Sequence, residues 1–553
     1  MDNFTVARVL DEIAHYIQLS ETTPFKSRAF ERAARSVEKL EQDVNALVAS
    51  HKLLDTPGIG KGIGPVIEEL VKSGKSSYLE ELRAQYPPGI FDLLRVPNLG
   101  LKKIGVLYER LAITSIDELE RAAKDNLVAA LPGFGAKTQQ KILQGIEFAR
   151  KRESQFLLPA GLEVGELVRE QLAAIEEIED AEVAGSVRRR LEVIRNVNIV
   201  IATRAPERVI AQLSRIVADV EVIDETTVKG IARSEVPVVF HLAYPDQFGL
   251  AVLRATGTRE FAEAFEAKAG RDLAARNEEQ LFEKAGIAFV EPELRENADE
   301  LKRKKRPKLI HPSDLRGTFH VHTTYSDGRN SVAEMLAAAR DRGFDYCGIS
   351  DHSPAAYYAG GLPKERVKEQ QADIARESKK LAPLRVFRGT EADILPDGTM
   401  DYGDDLDMFD FVVASIHSRF QMTEDEMTER ILTALDDPRV TILGHLTGRR
   451  LLTRNGYLVN YDRIFDKCAE RGVLMEINGN PQRLDLDWRH LRKAASRGVM
   501  FVINPDAHSV REMSHVISGT WVARKGGIGA KEIFNTRGVD EVAEWLEKRA
   551  TKV

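Results

Sequence analysis

The chain has 553 residues, too many for one hydrophobic core, so three or more domains are expected. With 43% hydrophobic and 30% charged residues and no apolar run of membrane-spanning length, it reads as a soluble protein, which excludes the membrane-embedded classes. Two cysteines, Cys347 and Cys468, exclude a disulfide framework or thiolate zinc site, and the net charge of −7 leaves any nucleic-acid binding to local basic surfaces.

The opening segment, "MDNFTVARVLDEIAHYIQLS", is acidic and amphipathic rather than a signal peptide, so a cytoplasmic protein is expected. Residues 1–150 are helical in period and carry three evenly spaced turn-then-helix segments. They are "PGIGKGIGPVIEEL" (57–70), "VPNLGLKKIGVLYERL" (96–111) and "LPGFGAKTQQKILQGI" (131–146), the second degraded to Pro97-Asn98-Leu99-Gly100. Each resembles the helix-hairpin-helix motif, in which glycines let backbone N–H groups approach a DNA phosphate at a helix N-terminus. The candidate DNA-binding residues are Gly58, Gly60, Lys61, Gly62, Gly100, Lys102, Gly133, Gly135 and Lys137. Such contacts are independent of base sequence.

Residues 155–300 alternate helices with strands, among them "AEVAGSVRRR", "VNIVIATR", "VEVIDET" and "VPVVFHLAY". A basic, proline-containing stretch, "LKRKKRPKLIHPSDL" (301–315), follows as a linker, solvated or touching DNA phosphates. From Gly317 short apolar strands separated by helices predict an α/β barrel. The predicted strands end "TFHVH", "YCGISDH", "VFRGTEAD", "FVVASIH", "VTILGH", "VLMEIN" and "MFVINPDAH". Catalytic groups of such barrels project from these strand ends, and imidazole with carboxylate suits zinc, manganese or iron.

Residues 317–540 resemble the PHP (polymerase and histidinol phosphatase) domain. The resemblance implies a distorted seven-stranded barrel with three divalent metal ions, manganese foremost, with zinc or iron as alternatives. One metal would take His320, His322, Glu391 and Asp506, and a second His417 and His445 with Glu391 bridging. A third would take Asp327, His352 and His508. Asp351 would sit behind the ligands or help proton transfer, and Arg419, Arg449 and Arg450 would receive phosphate oxygens. Such a cluster hydrolyses phosphate esters.

The whole chain is similar to the bacterial family X DNA polymerases that carry a C-terminal PHP domain. The matching segments are the hairpins, "AGSVRRRLEVIRNVNIVIAT", "RATGTREFAEAF" (254–265) and "FVEPELRE" (289–296). The resemblance implies a helical N-terminal domain (1–82), a fingers-like hairpin domain (83–152) and a nucleotidyltransferase palm (153–232). A thumb (233–300), the linker (301–315) and the PHP domain (316–553) follow. Gly185, Ser186, Arg188 and Arg189 would hold DNA phosphates.

The polymerase site departs from the family. Asn196, Asn198 and Val239 stand where it places three metal-binding carboxylates. Its aromatic-Thr-Gly-Ser turn is Ala255-Thr256-Gly257-Thr258, its pair-contacting asparagine is Ala262, and Val66 replaces its lyase lysine. An amide oxygen is a weak ligand for a hard cation and valine is none. Polymerase activity is therefore expected to be lost or strongly impaired.

The expected protein is a DNA-repair 3′→5′ exonuclease with a metal-dependent PHP site. The resemblance also allows abasic-site cleavage and cleaning of blocked 3′ ends. Its partner would be gapped, nicked or 3′-ended DNA, near the bacterial nucleoid, and the layout is compatible with a monomer. The alternatives are a gap-filling polymerase using other ligands, a PHP phosphatase of a small ester and a non-catalytic DNA-binding scaffold.

Overall fold

The computed structural model describes residues 3–19, 24–38, 40, 42–87, 89–97, 99–150 and 154–550. Asn98 of the second hairpin lies outside them. The chain divides into two compact units, Met1–Ser154 and Gln155–Val553. Among the described residues no helix is long and apolar enough to cross a membrane.

The first unit is helical, with one core from Val6 to Leu82 and a second built mainly from Ile90 to Ala149. Each hairpin buries its single apolar residue, Ile59, Leu99 or Phe134. Gly58, Gly133 and Gly135 have positive φ, the left-handed conformation that favours glycine. Gly60, Gly62, Gly100, Gly133 and Gly135 face open space, and Lys61, Lys102 and Lys137 are exposed. The turns thus anchor through one side chain and display backbone and lysine outward. Val66 is partly buried in the first core, and Lys72 pairs with Glu68 at 3.1 Å.

The second unit begins with a five-stranded sheet in the order Ile178–Ala184, Val197–Thr203, Pro237–Ala243, Thr227–Ile231 and Ala218–Val222. Strand Pro237–Ala243 lies at its centre, parallel to Val197–Thr203. The expected palm boundary at residue 232 is corrected by this: the β-period of "VPVVFHLAY" places it inside the palm sheet, and thumb-like helices begin only at Phe248. Those helices enclose their own core around Phe261, Phe265 and Phe282.

The stretch 301–315 is anchored at both ends, Leu301 in the thumb core and Ile310 in the barrel core, where its N–H donates to Ile528 O at 3.1 Å. Its basic residues between these anchors are exposed, and three of them pair locally: Lys302 with Asp299, Arg303 with Glu300 and Arg306 with Glu291.

The C-terminal part is a parallel, nearly closed barrel of seven strands arranged in chain order. They are Gly317–Thr318, Tyr346–Ile349, Arg385–Asp393, Phe411–Ser415, Ile442–Leu443, Leu474–Asn478 and Phe501–Asn504. The first strand is shorter than "TFHVH" predicts. Beyond it, Val321 bridges Ala507, and His322 N–H donates to Ala507 O at 2.9 Å, which joins the first strand's extension to the last.

Period-2 alternation makes one end of the interior apolar and the other polar. Along the third strand Phe387, Gly389, Glu391 and Asp393 share a face, and along the sixth Leu474, Glu476 and Asn478 do. Phe319 and Phe411 meet at 5.1 Å in the apolar layer. A Cβ on Gly389 would lie 2.2 Å from the Phe411 ring, so glycine there makes room for the aromatic plug. Packing fills the floor, and the polar ends are left to converge above it.

Candidate metal centre

The eight ligand-type residues of the predicted strand ends gather at this polar mouth, together with Asp327, which the family resemblance added. Glu391, 1% exposed, is their hub. Its Oε2 lies 3.3 Å from His320 Nε2, 3.5 Å from His322 Nε2 and 3.0 Å from His352 Nδ1. Its Oε1 lies 2.9 Å from His445 Nε2 and 3.3 Å from His417 Nε2. Asp506 Oδ1 is 3.6 Å from His320 and 3.5 Å from His322, while Asp327 Oδ1 is 3.4 Å from His508 and 3.7 Å from His352.

Many of these separations are too long for hydrogen bonds, but they suit ligands sharing a cation. Atoms about 2.1 Å from one ion sit roughly 3.0–3.4 Å apart. Four groups of donors each lie within 4.8 Å of one another: His322, Asp327, His352 and His508; His320, His322 and Glu391; His320, His445 and Asp506; and His352, Glu391 and His417. His320 Nε2, both His322 nitrogens, His352 Nδ1, His445 Nδ1 and Glu391 Oε1 are buried with no hydrogen-bond partner. Orphaned buried polar atoms cost free energy. Bound cations remove that cost, so the donor set fits divalent metals. The groups distribute the ligands differently from the sequence expectation: His352 faces Glu391 and His417 as well as Asp327.

Electrostatics points the same way. Burial would raise the Glu391 carboxyl, but His320, His352 and His417 hold it well below the carboxylate range. Burial would likewise raise Asp506, and His320, His322 and Arg483 outweigh it. Burial lowers His352 to about 3. It is overcome at His417 by Glu391 and Asp393, and at His508 by Asp327 and Asp506, each of which rises to about 9. Asp506 has φ 51, a left-handed conformation that aspartate tolerates and that re-aims its carboxylate at the strand end.

Several contributors have no counterpart in the sequence reading. Buried Glu476 accepts from His320 Nδ1 at 2.6 Å, and Asp393 accepts from His417 Nδ1 at 2.7 Å; both fix the ring that presents the other nitrogen inward. The signal was available, since each carboxylate sits on an inward strand position. Arg483 Nε lies 3.1 Å from Asp506 Oδ2, and its loop gave no comparable signal.

Two of the expected catalytic residues are held by bonds within the chain. Asp351 accepts from Thr323 N–H at 2.7 Å, Ser326 Oγ at 2.5 Å, Thr323 Oγ1 at 2.6 Å and Gln370 Nε2 at 2.5 Å. Its carboxylate holds the loop carrying Asp327, the place behind the ligands that was one of its two expected roles. Arg449 is tied to Asp487 and to the carbonyls of Arg483 and Leu484, so it braces a loop instead of receiving phosphate. Arg419 is exposed with φ 57, and Arg450 donates to Gln482 Oε1 at 2.5 Å.

At the palm, Asn198 lies opposite Val239 in the parallel register, so the three substituted positions share one locality. Asn198 Nδ2 donates to Asn196 Oδ1 at 2.8 Å, and His241 Nε2 lies 3.0 Å from Asn198 Oδ1. Gly185 is needed here, because with φ 66 a Cβ would lie 2.5 Å from Asn198 Nδ2. Ser186 lies in the short helix Gly185–Arg188. Arg188 pairs with Glu278 at 2.8 Å and Glu182 at 3.2 Å, and Arg189 pairs with Glu296 at 3.0 Å. Both guanidinium groups are therefore neutralised by the chain's own carboxylates.

Three family models match the chain: a helix-hairpin-helix domain over residues 1–76, a SAM-like helix-hairpin-helix tandem over 90–147 and the PHP domain over 318–480. The DNA polymerase/3′-5′ exonuclease PolX of Bacillus subtilis is 34% identical over 568 residues, covering 98% of this chain and 99% of its own. A probable phosphatase of Clostridium acetobutylicum is 27% identical over 207 residues, 34% of this chain and 78% of its own, and one of Caldicellulosiruptor saccharolyticus is 26% identical over 199.

Proposed function

This chain belongs to the PolX family of DNA polymerase/3′-5′ exonucleases, and we propose that it works in DNA repair as a metal-dependent 3′→5′ exonuclease whose polymerase site has lapsed. The observation that carries this reading is a contrast between two sites. Nine ligand-type residues, Glu391 at their centre, gather at the barrel mouth with buried nitrogens that have no hydrogen-bond partner, whereas the palm offers Asn196, Asn198 and Val239.

Manganese is the proposed metal, three ions the proposed number, and zinc or iron fit the same nitrogen and oxygen donors. The ions would supply charge neutralisation at the phosphodiester and a lowered pKa for the attacking water. The chain's part is to hold the ligands. Glu476 and Asp393 fix the rings of His320 and His417, Asp351 fixes the Asp327 loop, and Arg483 anchors Asp506. Arg450 and Arg419 remain the candidates for phosphate contact at the rim. The hairpin glycines and lysines of the first unit, exposed as a phosphate contact requires, support gapped, nicked or 3′-ended DNA as substrate in the bacterial cytoplasm.

One gel tests this. A 5′-labelled primer on a gapped template is incubated with manganese and all four deoxynucleotides, beside a His322→Ala variant. Shortened products that vanish in the variant are expected; lengthened products unaffected by it would overturn the reading. The similarity of the barrel to probable phosphatases favours small-ester hydrolysis as a second reading, which predicts inorganic phosphate instead of nucleoside monophosphate.

A further inference from the structure

The tyrosine pair following His352 is not used by the chemistry described so far. Tyr357 is 86% and Tyr358 61% exposed, in a short 3-10 turn, Tyr357–Ala359. Exposing two adjacent aromatic rings forgoes burial that such large side chains normally obtain. The Tyr358 ring centre lies 6.4 Å from the rings of both His352 and His417, so it stands at the rim of the metal centre.

The turn is held firmly. Ala355 N–H donates to Asp401 Oδ2 at 2.7 Å, Leu362 N–H to His352 O at 2.8 Å and Gly361 N–H to Ala356 O at 3.2 Å. Ala356 and Ala359 are buried beneath it, and a Cβ on Gly361 would lie 1.9 Å from Ser353 O. The backbone is pinned to the ligand strand while the two rings project into solvent.

Arg454 donates to Gly448 O at 2.6 Å and Arg450 to Gln482, both neutral acceptors, and both feel the charge of Arg483. Tyr358 lies within electrostatic reach of the carboxylates Glu391, Asp393 and Asp327 and of Arg454 and Arg483. An aromatic face at the rim of a candidate metal centre, with Arg450 and Arg454 bound only to neutral acceptors, matches one ligand chemistry, a nucleotide at the end of a strand. Its phosphate is anionic and its base has a π-face whatever its identity.

We propose that Tyr358, flanked by Tyr357, is the stacking platform for the base of the 3′-terminal nucleotide whose phosphodiester enters the metal centre. This rests on the exonuclease reading and deepens it. A base joined through one sugar to a phosphate among the ligands reaches a ring at this distance. Stacking accepts every base, so removal is independent of sequence, and a template-paired end must fray before its base can reach the ring.

The test uses the full-length protein loaded with manganese and two 5′-labelled single strands. One ends in an intact nucleotide, and the other is identical except for an abasic tetrahydrofuran residue at its 3′ end. Wild type should cleave the intact end roughly tenfold faster, the rate equivalent of a modest base–aromatic stack. Tyr358→Ala should collapse that ratio toward one, and Tyr358→Phe should keep it. An unchanged ratio in Tyr358→Ala overturns the proposal. So does a Tyr358→Phe enzyme as impaired as Tyr358→Ala, since the hydroxyl would then be the working group. Loss of bound manganese in Tyr358→Ala overturns it too, by making the residue structural. If wild type releases nucleotide from neither strand, the exonuclease reading itself fails and takes the platform with it.

Discussion

Glu391 shows how one residue can organise a site: both of its oxygens are committed, three histidines facing one and two the other. The histidines around it carry a consequence for pH. His417 and His508 rise to about 9 and His320 well above its ordinary value, so the metal-free protein holds protons on these rings at pH 7. A ring must be neutral to ligate, so metal uptake displaces those protons, and affinity falls as pH falls below about 9. Calorimetric titration of stripped protein with manganese in two buffers of different ionisation enthalpy should show net proton release at pH 7. A heat independent of buffer would contradict it.

At the scale of elements, the loop "RRRLE" binds other parts of the chain. Arg188 and Arg189 bind thumb carboxylates, Arg190 lies over the Trp521 ring at 4.7 Å, and Glu192 accepts from Trp488 Nε1 at 3.2 Å and pairs with Arg489 at 2.7 Å. The palm loop is thereby docked onto two barrel helices, Trp488–Ser496 and His515–Lys525. Restoring Asn196→Asp, Asn198→Asp and Val239→Asp together is expected to give no primer extension, because both arginines stay paired; extension by the triple variant would show that the carboxylates alone were missing. Lys525, fully buried, pairs with Glu296 and donates to Arg189 O at 3.0 Å. Burial lowers it to about 8 from 10.5, so between those values the unfolded chain binds more protons and this residue makes stability rise with pH. Lys525→Met removes this titration, so wild type should gain thermal midpoint relative to the variant from pH 8 to 10. A midpoint difference independent of pH would refute the assignment.

Across the whole molecule, the candidate metal ligands all lie in Gln155–Val553 and the hairpins in Met1–Ser154. A chain of residues 155–553 should therefore still release nucleotide from short single strands while binding gapped duplex weakly. Its log–log salt dependence should be shallower by roughly 0.9 for each DNA phosphate that the hairpins neutralise in the full-length protein. Equal salt slopes for the two proteins, measured by fluorescence anisotropy, would argue against DNA binding by the hairpins.

The sequence by itself determined the barrel, its seven strands and eight of the ligand-type residues, because period-2 alternation and strand-end placement are local properties, whereas Asp327, in a loop, came only from the family resemblance. It also located the palm substitutions, and register then set Asn198 opposite Val239. The hairpins were legible for the same reason: Pro-Gly-apolar-Gly dictates turn, anchor and exposed backbone within a few residues. Tertiary structure alone decided the rest. Which oxygen of Glu391 faces which histidine, that Asp351 holds the Asp327 loop, that Arg449 braces a loop and that Arg188 and Arg189 are neutralised all depend on partners far away in sequence. A charged side chain announces its charge wherever it stands, but only the fold decides whether a carboxylate has already claimed it.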